Sequence, residues 1–107
     1  MKLVKITTKL YPVKIDLFYA SKKNFTGKKI YKRRDCYLHK DAISHFEKSI
    51  ELADKINYKI KIFDAFRPVE AQWKLWEHTP DETFIAHPKK GSPHSRGVAI
   101  DLTLVNK

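Results

Sequence analysis

Asp41-Ala42-Ile43-Ser44-His45-Phe46-Glu47-Lys48-Ser49-Ile50-Glu51-Leu52-Ala53-Asp54-Lys55-Ile56-Asn57-Tyr58-Lys59-Ile60-Lys61-Ile62-Phe63 changes its hydrophobic period once, and that change decides the fold. Up to Ile56 the apolar residues recur at three and four: Ile43, Phe46, Ile50, Ala53, Ile56. That spacing predicts a helix over 41–56 with one apolar stripe. Asp41 suits its N-cap or first turn, and Asn57 its C-terminal cap. After Asn57, Tyr58, Ile60 and Ile62 alternate with Lys59 and Lys61, which predicts a strand over 58–63 with one buried face.

Asp64-Ala65-Phe66-Arg67-Pro68 ends that strand, and Pro68 fits the first turn of a second helix over 68–78 carrying Val69, Trp73 and Trp76. The two tryptophans read as core or contact residues. Upstream, residues 12–19 alternate loosely and suit a short strand. Asn24-Phe25-Thr26-Gly27 reads as a turn, with Gly27 free to adopt positive φ. Downstream, Pro80, Pro88, Gly91 and Pro93 mark a loop over 79–95. Val98, Ile100, Leu102 and Leu104 then alternate with Ala99, Asp101 and Thr103, a last strand with Asp101 opposite the leucines. The order predicts α+β: a small, mainly antiparallel sheet with two helices. A last strand this apolar is expected to be central, paired on both sides.

The chain has 107 residues, 42% apolar and 32% charged, which fits one globular domain and excludes a long disordered tract. No apolar run approaches the ~20 residues of a membrane span. The start lacks the apolar stretch of a signal peptide. The one cysteine, Cys36, forms no internal disulfide and reads as a small buried residue. A reducing, cytoplasmic setting is the expectation.

Net charge is +10, and its distribution is uneven. Residues 1–40 hold 12 Lys/Arg against Asp16 and Asp35, whereas residues 41–107 balance. Phe25 and Tyr31 interleave the densest basic stretch, over 22–34, as nucleic-acid surfaces do. Lysine supplies 18 of the 22 cations, however, and specific phosphate and base contacts favour arginine. A solvated surface is the simpler reading, with a basic binding module as the alternative and nucleic acid not an expected partner.

The segment that carries chemistry is Ser92-Pro93-His94-Ser95-Arg96-Gly97-Val98-Ala99-Ile100-Asp101. Imidazole and carboxylate are both ligands for Zn²⁺. Seven residues of separation put His94 and Asp101 on opposite faces of an ideal strand, so a bend at Gly97 is needed to bring them together. By spacing alone such a pair is structural more often than metal-binding. His39, His45, His78 and His87 are each expected to lie outside a metal site.

This segment resembles the zinc motif of the D-alanyl-D-alanine dipeptidases, the VanX-like branch of the M15 metallopeptidases. Tyr19-Ala20 with Asn24-Phe25-Thr26-Gly27, then Cys36-Tyr37-Leu38-His39-Lys40-Asp41-Ala42, Phe63-Asp64-Ala65-Phe66-Arg67-Pro68 and Gln72-Trp73-Lys74-Leu75-Trp76-Glu77 resemble the same family in the same order. The resemblance implies His94 and Asp101 as zinc ligands, Arg67 as the cation facing the oxyanion, and Ser92 lining the site near the substrate's amino end. It implies the α+β fold shared with the hedgehog domain, and hydrolysis of the D-Ala-D-Ala dipeptide in cell-wall precursor breakdown or D-alanine recycling. For Arg67 the alternative is a salt bridge to Asp64, and for Ser92 a turn residue.

The sequence departs from the family in one major respect. Family members carry a later Glu-x-x-His, supplying the third zinc ligand and the general base, and nothing here matches it. Ala65 and Phe66 stand where many relatives have Gly and Tyr. The expectation is therefore an incomplete peptidase domain: half of a split enzyme completed by a separately made polypeptide, an inactive remnant, or a shortened version of a longer polypeptide. A hedgehog-like metal-dependent interaction domain fits the same two ligands.

Overall fold

A computed structural model describes residues 2–107. Two helices and two small sheets make an α+β arrangement. Strands β1 (Leu3–Ile6) and β3 (Cys36–His39) pair antiparallel. The second sheet has the order β2 (Lys14–Ile15), β4 (Tyr58–Asp64), β5 (Asp101–Asn106), with β2 parallel and β5 antiparallel to β4. Helix α1 (Ile43–Lys55) packs on β4, and α2 (Val69–His78) follows it in sequence. One apolar core joins both sheets and both helices, with Leu38, Ile62 and Leu75 fully enclosed.

The helix and strand on either side of Asn57 form as the period change predicts. Asn57 takes φ 69°, the left-handed conformation that ends many helices, and its N–H donates to the Asp54 carbonyl. The start of α1 differs from expectation. A short 3₁₀ turn, Lys40–Ala42, precedes it, and the His39 ring accepts from the Asp41 amide at 3.0 Å. Asp41 is therefore the capped residue and not the cap. Ile56, assigned to the apolar stripe, is exposed beyond the end of the helix.

Two further expectations change. Instead of one strand over 12–19 there is a two-residue strand and a 3₁₀ turn, Phe18–Ala20. The final strand spans 101–106, beginning at Asp101 and not at Val98, and among the described residues it lies at the sheet edge, paired with β4 alone. Leu102 and Leu104 oppose Ile62 and Ile60 on the core face, yet each is 42% exposed. The sheet ends at β5, so nothing flanks them on the outer side among the described residues.

A bulge at the site end of the β4–β5 ladder matters for function. Leu102 pairs with Ile62, but Asp101 pairs with Asp64, so Phe63 is the extra residue. Strict alternation puts Asp101 opposite Leu102, and puts Asp64 on the buried face with Ile60 and Ile62. The bulge lets these two carboxylates face each other.

Candidate metal centre

Local backbone contacts fix the loop that carries His94. Gly97 has φ +73°, and its carbonyl accepts from the His39 amide at 2.8 Å. A Cβ there would sit 3.1 Å from that nitrogen and 3.2 Å from a Leu3 methyl, so only glycine permits the approach. The bend ties the loop to the β1–β3 sheet. The His94 carbonyl accepts from Arg67 N–H at 2.9 Å, and the Ser92 hydroxyl accepts from His94 N–H at 3.2 Å. Ser92 is buried and holds the loop from behind, as its turn reading describes.

His94 and Asp101 do converge. His94 Nε2 lies 3.4 Å from Asp101 Oδ1, and His94 Nδ1 lies 2.8 Å from the Ala65 carbonyl. A carbonyl only accepts, so Nδ1 carries the proton and the lone pair of Nε2 faces the carboxylate. With a neutral ring these are two acceptors facing each other with no hydrogen between them. A cation resolves that. With Zn–N and Zn–O bonds of ~2.0–2.2 Å, tetrahedral ligand atoms stand roughly 3.4 Å apart. The donors thus fit zinc in chemistry and in spacing.

Asp64 lies close enough to join a three-residue group, with one ligand atom from each of Asp64, His94 and Asp101 within 4.8 Å of one another. Its oxygens have other work. Tyr31 O–H donates to Oδ1 at 2.5 Å and Arg67 Nη2 donates to Oδ2 at 2.7 Å. Oδ2 stands 3.7 Å from His94 Nδ1, the nitrogen turned away from Asp101. Asp64 therefore sits behind the imidazole and orders the groups around it. Among the described residues His39, His45, His78 and His87 belong to no such group.

Arg67 is buried at 7% exposure, with Nη1 on Gln72 Oε1 at 2.8 Å and Nη2 on Asp64. Gln72 in turn donates to the Ala86 carbonyl at 2.8 Å. The guanidinium lies 5.1 Å from the Tyr19 ring centroid, and its Nε has no partner among the described residues. Burial works against its charge, but the adjacent Asp64 carboxylate outweighs it and raises the Arg67 pKa. Burial, reinforced by Asp64, also holds the Tyr31 phenol far above its ordinary value, so it stays a donor. The salt bridge to Asp64 thus exists, and it orients a cation whose Nε remains free.

Beside the carboxylates opens a groove of about 330 Å³ walled by Phe18, Tyr19, Asn24, Phe25 and Phe63, with Lys23 at its side. Ser92 is not among its walls. Asn24 builds the loop: its side-chain N–H groups donate to the Ser21 and Lys28 carbonyls at 2.9 and 2.8 Å. A larger cleft of about 640 Å³, between α1 and Tyr58, holds neither His nor Cys.

The sequence reading gave Asp64 only the role of an Arg67 partner, and missed Tyr31. One signal was available for Asp64: an acid on the same alternating face as Ile60 and Ile62 needs a buried counter-charge. Tyr31 gave none, because it lies 33 residues from its partner within a lysine-rich run.

A paired imidazole and carboxylate thus lie beside a buried, oriented guanidinium, a donor set that fits a metal ion. The chain belongs to the M15 peptidase family described as D-Ala-D-Ala dipeptidase, whose family model matches residues 1–107. It is 48% identical over 92 residues to the D-alanyl-D-alanine dipeptidase of Escherichia coli (strain K12). The match covers 86% of this chain and 48% of that protein, so the chain spans about half the length of the curated relative.

Proposed function

We propose that this chain supplies part of the active site of a zinc-dependent dipeptidase that cleaves D-Ala-D-Ala, with the general base and third ligand lying in the half of the relative's length that the match does not cover. The observation that carries the reading is the 3.4 Å approach of His94 Nε2 to Asp101 Oδ1 beside buried Arg67. His94 and Asp101 would hold the metal, which when bound polarises a carbonyl and lowers the pKa of its water to about 7.

The chain's own residues do the rest. Ala65 keeps His94 in the tautomer that offers Nε2. Asp64 and Gln72 fix the Arg67 fork so that it meets negative charge developing on the scissile carbonyl without reorganising. Ser92, buried and outside the groove's walls, steadies the His94 loop by accepting from the His94 amide. The aromatic groove, about 330 Å³, is of a size that suits a dipeptide. A general base acting on that water would contribute about 10²–10⁴ in rate, and no residue of this chain is assigned to that role.

The test is D-alanine release from D-Ala-D-Ala by the zinc-loaded chain, alone and with the unmatched half of the E. coli relative. Little turnover alone and clear turnover when complemented is expected. In the complemented protein Arg67→Met loses about 10²–10³ in rate. Brisk hydrolysis by residues 1–107 alone overturns the incomplete-site reading, and no hydrolysis by the complemented protein overturns the dipeptidase reading.

A further inference from the structure

We propose that a recess on the far side of Tyr31 from Asp64 binds a small aromatic carboxylate, with its ring among Tyr31, Tyr37 and Phe66 and its acid group on Lys32, Arg33 and Lys74. The inference is independent of the dipeptidase reading.

The recess has a volume of about 330 Å³, and all its walls come from residues 30–74. Ile30, Tyr31 and Ala71 are buried at its base, with half-buried Tyr37, Phe66 and Pro68 around them. The volume is of the order that encloses a small molecule. Three aromatic rings in one small recess offer a flat ligand stacking and edge contacts beyond the area it buries.

The rim supplies charge. Lys32, Arg33 and Lys74 are exposed at the mouth, and among the described residues none of them forms an ion pair. Of the two acids there, Asp35 is held by Lys5 at 3.3 Å, which leaves Glu70 against three free cations. The Arg33 fork matches a carboxylate with two parallel bonds, and the lysines add point charge. The lysine-rich run over 22–34 thus divides by role: Tyr31 turns inward, while Lys32 and Arg33 stay at the mouth. Because the rings line a recess and not an open platform, the occupant is one ring system rather than a strand of stacked bases.

Tyr31 presents its ring to the recess and donates its hydroxyl to Asp64, whose other oxygen holds Arg67. An occupant therefore packs against the back of the network that orients the guanidinium.

The test titrates 2-naphthoate into the metal-free chain, followed by calorimetry and by amide shifts in heteronuclear magnetic resonance. We expect one site, with shifts clustered over residues 30–37 and 66–74. Neutral 2-naphthamide binds about tenfold more weakly, as does naphthoate to the Arg33→Glu/Lys74→Glu chain. Lys14→Glu, an exposed reversal on β2, changes affinity less than about twofold. The naphthamide comparison uses the unmutated chain and decides the matter if the double variant unfolds. No saturable binding overturns the proposal, as do equal affinities for naphthoate and naphthamide. Shifts centred on Phe18 and Phe63 overturn it in favour of the groove beside the carboxylates.

Discussion

Replacing Asp64 by Asn keeps the shape of a fully enclosed polar residue of the site and removes its charge. Asp64 and Arg67 meet at 2.7 Å with side chains only 2% and 9% exposed, so water cannot replace the lost partner. The new amide either presents a donor to Arg67 Nη2, opposing donor to donor, or turns it toward Tyr31, whose hydroxyl must then accept and loses the acceptor it had; in both cases the guanidinium loses its counter-charge. Leaving one member of a buried ion pair uncompensated costs about 3–5 kcal/mol. Against a total stability of about 5–15 kcal/mol this is a large fraction, worth roughly 15–30 °C in Tm. The assay is urea unfolding followed by fluorescence of Trp73 and Trp76. The same change made in an Arg67→Met background removes a charge that no longer has a partner, and should cost at least about 2 kcal/mol less. A single-variant loss under ~0.5 kcal/mol, or equal losses in both backgrounds, refutes the claim that Asp64 holds the guanidinium.

Two further outcomes follow from the geometry. Gly97→Ala forces a side chain onto φ +73° and to within 3.1 Å of the His39 amide, so urea unfolding should show a loss of about 2 kcal/mol or more, with the His94 loop freed from the β1–β3 sheet. Burial, reinforced by Asp64, pushes the Cys36 thiol up to about 12 from 9.0, so the neutral thiol stabilises the fold fully below pH 9 and the contribution is lost as pH rises toward 12. Stability measured across pH 9–12 should fall more steeply in the unmutated chain than in Cys36→Val, and parallel curves would contradict the assignment.

Legibility in the sequence followed the range of the interactions. The period change at Asn57, the Pro68 start of α2 and the Gly97 bend are local, and all three were readable from neighbouring residues. Strands β1 and β3 were not anticipated. Each is four residues long and gains its hydrogen bonds from the other, thirty or more positions away. The last strand was placed three residues early because Val98 and Ile100 continue its alternation, yet they lie before the ladder with β4 begins. His94 and Asp101 stood out because they share one short segment. Asp64 reaches them only through a bulge between two strands, and Tyr31 through a long-range hydrogen bond, neither of which leaves a local pattern.

The most direct measurement is a calorimetric zinc titration of the complemented protein alongside its His94→Ala and Asp101→Ala forms. One zinc per complex is expected, with affinity falling by more than about tenfold in each variant, since each loses a donor that cannot be replaced locally. Zinc affinity unchanged by His94→Ala would show that the imidazole and carboxylate meet for structural reasons alone, and the metal centre would have to lie elsewhere.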